Sequence, residues 1–268
     1  MKTRLITAAV GVPFLIFVLV VRGWFAELVI AVLTCIALFE CYRALRAAKY
    51  AVCPWGGYLA AAVMWPLSRF MGVLDPLLLV AGAMGISMTG VILRDHPTFP
   101  DAAASVYPLF TCLLPMSMFM MMMNSMYGAV PGIALITMAF AIAFGSDGAA
   151  YFGGRAFGRH KLCPSVSPKK TVEGAAFGLL GGVLFALCCR LVFIHVFDMA
   201  MPRVEGTIVL GLIGSLAGQI GDLSASLLKR HSGIKDYGKL FPGHGGVMDR
   251  FDSVIFTLIV MYCYTLVL

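Results

Sequence analysis

Charged residues are scarce in this chain. Lysine, arginine, aspartate and glutamate make up 12% of its 268 residues, while 60% of the residues are hydrophobic. Because about a quarter of the residues in a soluble domain are charged, this composition excludes an ordinary soluble protein. Apolar runs of about 20 residues, the length that crosses a bilayer, recur along the sequence. They predict an all-α, polytopic integral membrane protein.

The sequence also lacks paired cysteines. Its eight cysteines form no C-x-x-C motif, and most of them lie inside apolar runs. A free cysteine in such a run behaves as a small hydrophobic residue, so we expect neither a disulfide framework nor a zinc site. No small-x-small cleavage site follows the first apolar run, 5–21, which favours a retained membrane span over a signal peptide.

The apolar runs predict about nine transmembrane helices in a single membrane domain, 1–268. We expect the helices of 1–130 to form a scaffold, and 131–268 to supply the catalytic helices and cytoplasmic loops. Most of the 20 lysines and arginines fall in alternate loops. The positive-inside rule therefore places the N-terminus in the cytoplasm and the C-terminus on the opposite side. The predicted spans are 5–21, 24–42, 56–74, 76–93, 104–126, 131–151, 174–197, 206–228 and 252–268.

The formal net charge of +7 favours contact with membrane lipids or an anionic substrate. Basic residues are not interleaved with aromatic ones on a polar segment, so we expect no nucleic acid as a partner. Stripes of small residues occur in two predicted spans, at Gly174, Gly178 and Gly182 and at Gly214 and Gly218. Such stripes let helices approach closely, which favours packing within one bundle and also permits a homodimer.

One segment, 226–252, differs from the rest of the chain by its charge. Its 27 residues include five basic residues, three carboxylates, two histidines and five glycines. Charge beside a membrane costs free energy, so such a cluster indicates function. Asp222, Ser226 and Arg230 recur every four residues and lie on one face of a helix. Two interpretations explain this spacing equally well. Asp222 could form a structural pair with a lysine or arginine, or it could bind a metal ion.

The end of the same segment has the ingredients of a phosphate site. Gly243–Gly246 could form a nest of backbone N–H groups around an anion, although a flexible turn has the same composition. Asp249 and Asp252 lie three apart at the start of the last predicted span. Mg²⁺ takes one or two protein carboxylates together with substrate phosphates, which suits Asp222 and Asp249 if their helices pack together. These features predict phosphoryl or nucleotidyl transfer.

A second polar loop, 152–173, has a similar composition. Asp147 and Tyr151 lie four apart before it, and Arg155, Lys169 and Lys170 supply positive charge. Ser167 followed by Pro168 predicts an N-cap and the first position of a helix, whose amide end could bind an anion. A positive-inside loop without a ligand would explain the cations alone.

Across these residues the chain resembles the phosphatidate cytidylyltransferase (CDP-diacylglycerol synthase) family. The resemblance is sharp from about 145 to 252 and generic before 140. Its main motif is Ser226-x-Leu228-Lys229-Arg230, then Lys235-Asp236, then Pro242-x-His244-Gly245-Gly246-Val247-x-Asp249-Arg250-Phe251-Asp252. Gly218-Gln219-x-Gly221-Asp222 and Ser167-Pro168-x-Lys170-Thr171-x-Glu173-Gly174 are also similar to the family.

The resemblance implies that the phosphate of phosphatidic acid attacks the α-phosphorus of CTP at a site open to the cytoplasm. It implies Mg²⁺, with a second monovalent or divalent cation as a further candidate. Asp222 and Asp249 become the expected metal ligands, with Asp147 as a further candidate. The expected catalytic residues are Asp236, His244, Asp249, Asp252, Lys229 and Arg230. The expected substrate-phosphate residues are Lys169, Lys170, Ser167, Arg155, Lys235, Lys239, Gly245, Gly246 and Arg250.

Two other functions remain open. A CTP-dependent lipid kinase would pass on a phosphoryl group instead of a cytidylyl group, and the complete 226–252 motif argues against it. An ion-coupled transporter could use Asp147 and Asp222, but the charges cluster at one membrane face. The short chain with little tail indicates a bacterial inner membrane.

Overall fold

The computed structural model describes residues 2–72, 75–243 and 245–267. It is largely helical, which confirms the all-α prediction. The chain forms two compact units. The first unit comprises Met1–Met123 with Leu228–Phe251, and the second comprises Asn124–Leu227 with Asp252–Leu268. The predicted division of roles between 1–130 and 131–268 stays a prediction.

The first unit is built from apolar helices, and side-chain caps set the starts of two of them, Pro76–Ile92 and Phe99–Pro108. Asp75 accepts hydrogen bonds from the N–H groups of Leu77 and Leu78, and Thr98 accepts one from Asp101, each just before a proline in the first turn. Two π-helical turns, Leu67–Met71 and Leu109–Leu113, follow prolines, which lack an N–H group. The helices are α1 (Lys2–Val21), α2 (Gly23–Ala47), α3 (Trp55–Pro66), α4 (Pro76–Ile92), α5 (Phe99–Pro108) and α6 (Leu114–Met123).

The second unit is built from long helices and two short hairpins. The helices are α7 (Gly132–Phe157), α8 (Val172–His195), α9 (Val204–His231) and α10 (Met248–Thr265). The first hairpin pairs β1 (Met126–Tyr127) with β2 (Val130–Pro131), and the second pairs β3 (Lys161–Cys163) with β4 (Ser167–Thr171). The last residues of α9 and the first of α10 belong to the first unit.

Five helical segments among the described residues are long and apolar enough to cross a membrane. They are Gly23–Ala47, Phe99–Met123, Gly132–Phe157, Val172–His195 and Val204–His231. A polytopic membrane protein is therefore confirmed, and the count of nine spans stays a prediction. Phe99–Met123 begins five residues before the predicted start at 104, because Thr98 caps it there.

The predicted helix start at Ser167 and Pro168 is wrong. Both residues lie in β4, and α8 begins at Val172, where the Thr171 hydroxyl accepts a hydrogen bond from the N–H of Gly174 at 3.1 Å. Threonine caps a helix nearly as well as serine does. Proline is tolerated in β4 because both strands of a two-stranded hairpin are edges. The first residues of the predicted anion-binding helix thus form a strand.

The small-residue stripes pack within the second unit. A Cβ at Gly182 would collide with the Ser215 hydroxyl, and a Cβ at Gly218 would lie 3.1 Å from the Thr257 hydroxyl oxygen. α8 and α10 can therefore approach α9 closely at these positions. This result confirms packing within one bundle, and the homodimer stays a prediction.

Candidate active site

A cavity of about 350 Å³ lies in the second unit. Its size is at the lower end of small-molecule sites. α7 contributes Asp147, Tyr151 and Arg155, which fall four residues apart and therefore share one helical face. β4, the start of α8 and α9 supply the remaining walls. The lining residues are Asp147, Ala150, Tyr151, Gly154, Arg155, Leu162, Lys169, Lys170, Thr171, Gly174, Ala175, Gln219 and Asp222.

Lys170 and Asp222, which both line this cavity, form an ion pair. The Lys170 ammonium contacts Oδ2 of Asp222, and about a quarter of each side chain is exposed. The other oxygen, Oδ1, accepts a hydrogen bond from the Ser226 hydroxyl at 3.4 Å. Asp222 therefore pairs with a lysine from β4, and its predicted helical neighbour Ser226 also contacts it. The ion pair remains accessible to a ligand in the cavity.

Asp147 brings a second carboxylate to the same cavity. Its Oδ2 accepts a hydrogen bond from the hydroxyl of Ser253, a buried residue of α10, at 3.1 Å. The charges of Asp147, Asp222 and Lys170 are close enough to interact. Asp252 lies beside Ser253 and accepts a hydrogen bond from its N–H at 2.9 Å. The cavity thus combines two carboxylates with cationic side chains.

Two side chains fix the walls of the cavity. The Gln219 amide donates to the carbonyl oxygen of Ala175 at 3.1 Å, which joins α9 to α8. The Glu173 carboxylate accepts hydrogen bonds from the N–H groups of Arg159 and His160 and contacts Nδ1 of His160 at 2.6 Å. This contact holds the start of the β3–β4 hairpin against the first turn of α8.

The first unit contains a separate polar cluster around Asp249. Its Oδ1 accepts a hydrogen bond from the Lys229 ammonium at 2.9 Å. Its Oδ2 accepts two more, from the N–H of Tyr237 at 2.7 Å and from that of Gly246 at 2.9 Å. The Asp249 side chain is 4% exposed. Three donors therefore stabilise the charge of this buried carboxylate.

Tyr237 completes the cluster. Its ring is fully buried and lies 5.5 Å from the Lys229 ammonium, within cation–π range. Burial raises the pKa of the Tyr237 phenol, so the hydroxyl stays neutral across the physiological range. Tyr237 acts here as an apolar wall for the Lys229–Asp249 ion pair.

The remaining predicted site residues divide between the two units. Lys235, Asp236, Lys239, Arg230 and Arg250 are exposed in the first unit. Ser167 is partly buried on β4 and is not among the residues that line the cavity. Gly245 adopts a left-handed backbone conformation with φ of 85°, which suits glycine. His244 lies outside the described residues.

The donor set of the cavity fits a magnesium ion, although the described residues form no dedicated metal cage. Across residues 2–72, 75–243 and 245–267, no group of three or more His, Cys, Asp or Glu side chains could hold a metal ion. Mg²⁺ needs fewer protein ligands, since one or two carboxylates suffice when phosphates and water complete its shell. Asp147 and Asp222 are the two carboxylates that line the cavity.

Comparison with known proteins connects this arrangement to a family. Residues 2–268 match the cytidylyltransferase family. This chain belongs to the cytidylyltransferase family. The match covers both units. It includes the apolar N-terminal helices, whose resemblance to the family from sequence motifs is only generic.

Several curated relatives carry the name phosphatidate cytidylyltransferase. The one from Staphylococcus aureus (strain COL) is 33% identical over 267 residues, which cover 96% of each chain. The one from Staphylococcus epidermidis (strain ATCC 35984) is 32% identical over 265 residues, again 96% of each. The one from Bacillus subtilis (strain 168) is 41% identical over 131 residues, 49% of this chain and 47% of that protein. The resemblance to this family is confirmed.

Two residues that contact the α9–α10 loop, 232–247, were not predicted from the sequence. Glu40 and Arg43 lie on α2, about 200 positions before the loop, and both hydrogen-bond to its backbone. An acidic residue inside a predicted apolar span is a signal that could have singled out Glu40. No pattern of spacing could have identified its partners.

The cavity makes a prediction about anion binding. Lys170→Met should weaken binding of inorganic triphosphate about tenfold, because one charge-assisted contact is lost. Equilibrium dialysis of the purified protein measures this binding. Lys161→Met is the matched control, since Lys161 is exposed on the same hairpin and is not among the cavity-lining residues. Equal binding by the two variants would remove Lys170 from the site.

Proposed function

We propose that this chain transfers the cytidylyl group of CTP to phosphatidic acid, giving CDP-diacylglycerol and pyrophosphate. The family match across 2–268 and the names of the relatives support the reaction. The structural observation that supports the proposal is the cavity, which is lined by Asp147, Asp222 and Lys170. Two carboxylates and a lysine suit a substrate that arrives as a polyphosphate.

The reaction requires little proton transfer by the protein. Phosphatidic acid carries a phosphate monoester whose second pKa is near 6, so most of it is doubly ionised at pH 7. One of its oxygens forms a bond to the α-phosphorus of CTP, and the bond from that phosphorus to the β-phosphate oxygen breaks. Pyrophosphate leaves with the bonding electron pair. A strong general base is unnecessary, and the main difficulty is bringing two polyanions together.

The cations of the cavity address this difficulty. Lys169, Lys170 and Arg155 would contact phosphate oxygens and offset their charge. Lys170 already contacts Asp222, so it can exchange a carboxylate oxygen for a phosphate oxygen without being left unpaired. Tyr151 is exposed on the same face of α7, where it would limit access of water.

Mg²⁺ is part of this proposal. Asp147 and Asp222 would hold the ion, and the ion would supply positive charge to the triphosphate. The pairing of Asp222 with Asp249 as metal ligands stays a prediction, as does a second cation. Asp249 has three hydrogen-bond donors, so binding a metal would require at least one of them to give way.

Binding of phosphate oxygens by residues of the α9–α10 loop, 232–247, is also part of this proposal. Its exposed cations Lys235 and Lys239, with Arg250 just after it, suit phosphate oxygens. Lys229 and the amide of Gly246 both contact Asp249, which would hold the loop in one conformation. Arg230, Asp236, His244 and Asp252 stay predicted active-site residues.

The distribution of labelled phosphate tests the proposed reaction. Membranes containing the chain should incorporate label from [α-³²P]CTP into lipid when phosphatidic acid and Mg²⁺ are present. Label from [γ-³²P]CTP should appear in pyrophosphate and stay out of lipid. Membranes from cells without the chain are the control. Lipid labelled from the γ-phosphate, with no cytidine incorporated, would instead identify a CTP-dependent lipid kinase.

The proposal includes an orientation in the membrane. CTP is a cytoplasmic metabolite, and the basic loops favour the cytoplasmic side of a bacterial inner membrane. The N-terminus and the active site would then face the cytoplasm, and the C-terminus the opposite side. A C-terminal alkaline phosphatase fusion should be active, because this enzyme needs an oxidising compartment to form its disulfides. An inactive fusion, together with a fluorescent C-terminal green fluorescent protein fusion, would contradict the predicted topology.

A further inference from the structure

A buried carboxylate in the first unit contacts the α9–α10 loop. Glu40 lies on α2 and is 3% exposed. It accepts hydrogen bonds from the N–H of Val247 at 3.1 Å and from that of Met248 at 2.9 Å. These N–H groups belong to the start of α10, where the first turn has no partners inside its own helix. A carboxylate at this position also interacts favourably with the helix dipole.

The neighbouring turn of α2 contacts the other side of the loop. Arg43 lies three residues after Glu40 and donates a hydrogen bond to the carbonyl oxygen of Tyr237. The N–H of Tyr237 in turn donates to Asp249. One face of α2 therefore holds the loop at Tyr237 and again at Val247. The two contacts fix both ends of the segment that carries Lys239, Gly245 and Gly246.

Two glycines of the loop are required for the approach of Glu40. A Cβ at Gly238 or at Gly246 would collide with the Glu40 carboxylate. Neither glycine has a positive φ angle, so the backbone at these positions would accept another residue. At Gly246 the need for glycine therefore arises from the space that the carboxylate occupies, and at Gly238 it arises from the carboxylate together with the nearby Cα atom of Gly246. The loop composition and the buried acid are matched to each other.

We propose that Glu40 is a positioning residue for the transfer reaction. It acts through the loop and does not itself contact substrate, and Arg43 assists it from the same helix face. This inference rests on the proposed function, because it assumes that the loop binds phosphate. α2 thereby becomes part of the active machinery, although the sequence predicts that 1–130 forms a scaffold.

Glu40→Gln tests the proposal with almost no change in volume. The amide oxygen can accept one of the two hydrogen bonds. The amide nitrogen faces the other N–H group and cannot accept a hydrogen bond from it. The loop should lose its fixed conformation, and the KM for CTP should rise about tenfold with a further loss in kcat. Steady-state formation of CDP-diacylglycerol by equal amounts of folded, purified protein measures both constants. A change in kcat alone with an unaltered KM would overturn the proposal, since a purely structural defect has that signature.

Glu27→Gln is the matched control. Glu27 is also buried on α2, at 4% exposed, and lies thirteen residues before Glu40. That spacing places it about 20 Å away along the helix axis. Its variant should keep the KM for CTP of the unaltered protein. An equal rise in KM in both variants would show that any buried acid of α2 has this effect, and would overturn the specific role of Glu40.

A suppressor pair keeps the test decisive if Glu40→Gln does not fold. Gly246→Ala should raise the KM for CTP, because its methyl group overlaps the Glu40 carboxylate. Combining it with Glu40→Asp shortens the acid by one methylene and makes room for that methyl group. The double variant should have a KM for CTP about threefold or more below that of Gly246→Ala alone. A double variant no better than the single one would contradict the inferred contact.

The two proposals fail in different ways. If the unaltered protein makes no CDP-diacylglycerol, the proposed function fails and the kinetic test of Glu40 has no basis. If the unaltered protein is active and Glu40→Gln matches it in both kcat and KM, the positioning role fails while the function stands.

Discussion

An ionised carboxylate among apolar helices needs a partner, and this constraint organises both units. Desolvation of an isolated charge costs several kcal/mol, and Glu40, Asp222 and Asp249 are each held by cations or N–H groups. In the second unit, Lys170 pairs with Asp222 and joins β4 to α9. In the first unit, Lys229 pairs with Asp249 at the start of α10. Each ion pair thus fixes a polar segment to a helix.

The two ion pairs differ in how accessible their carboxylates are to a ligand. Asp249 is almost completely buried, and both of its oxygens accept hydrogen bonds from within the first unit. Asp222 is a quarter exposed and lines a cavity together with Asp147. The first arrangement suits a loop that must keep its conformation. The second suits a site at which a ligand competes for the same charges.

Much of the fold and part of the site could be predicted from local patterns. Apolar runs identify the helices, and spacing by four residues places Asp147, Tyr151 and Arg155 on one face. The start of α8 was predicted wrongly, because Ser167 with Pro168 has the residue types of a helix start, whereas the N-cap in the structure, Thr171, lies four residues later. The pairing of β3 with β4 decides between them.

The long-range contacts could not be predicted in this way. Glu40 is 207 residues from Val247 in sequence, so no periodic pattern links them. The ion pair of Asp222 also joins distant segments, since its lysine comes from β4 and not from Lys229 on the same helix. What local patterns do show is which residues need a partner. Tertiary packing then determines which partner each one receives.

The central claim is that the Lys170–Asp222 ion pair serves ligand binding as well as structure, and a charge swap tests it most directly. Lys170→Asp combined with Asp222→Lys keeps an ion pair but moves the negative charge onto β4. Binding of CTP with Mg²⁺ should be measured by equilibrium dialysis, alongside the thermal stability of both single variants. The account predicts that the swap regains the stability lost in the single variants and still does not bind CTP. A swapped protein that binds CTP as tightly as the unaltered protein would contradict it.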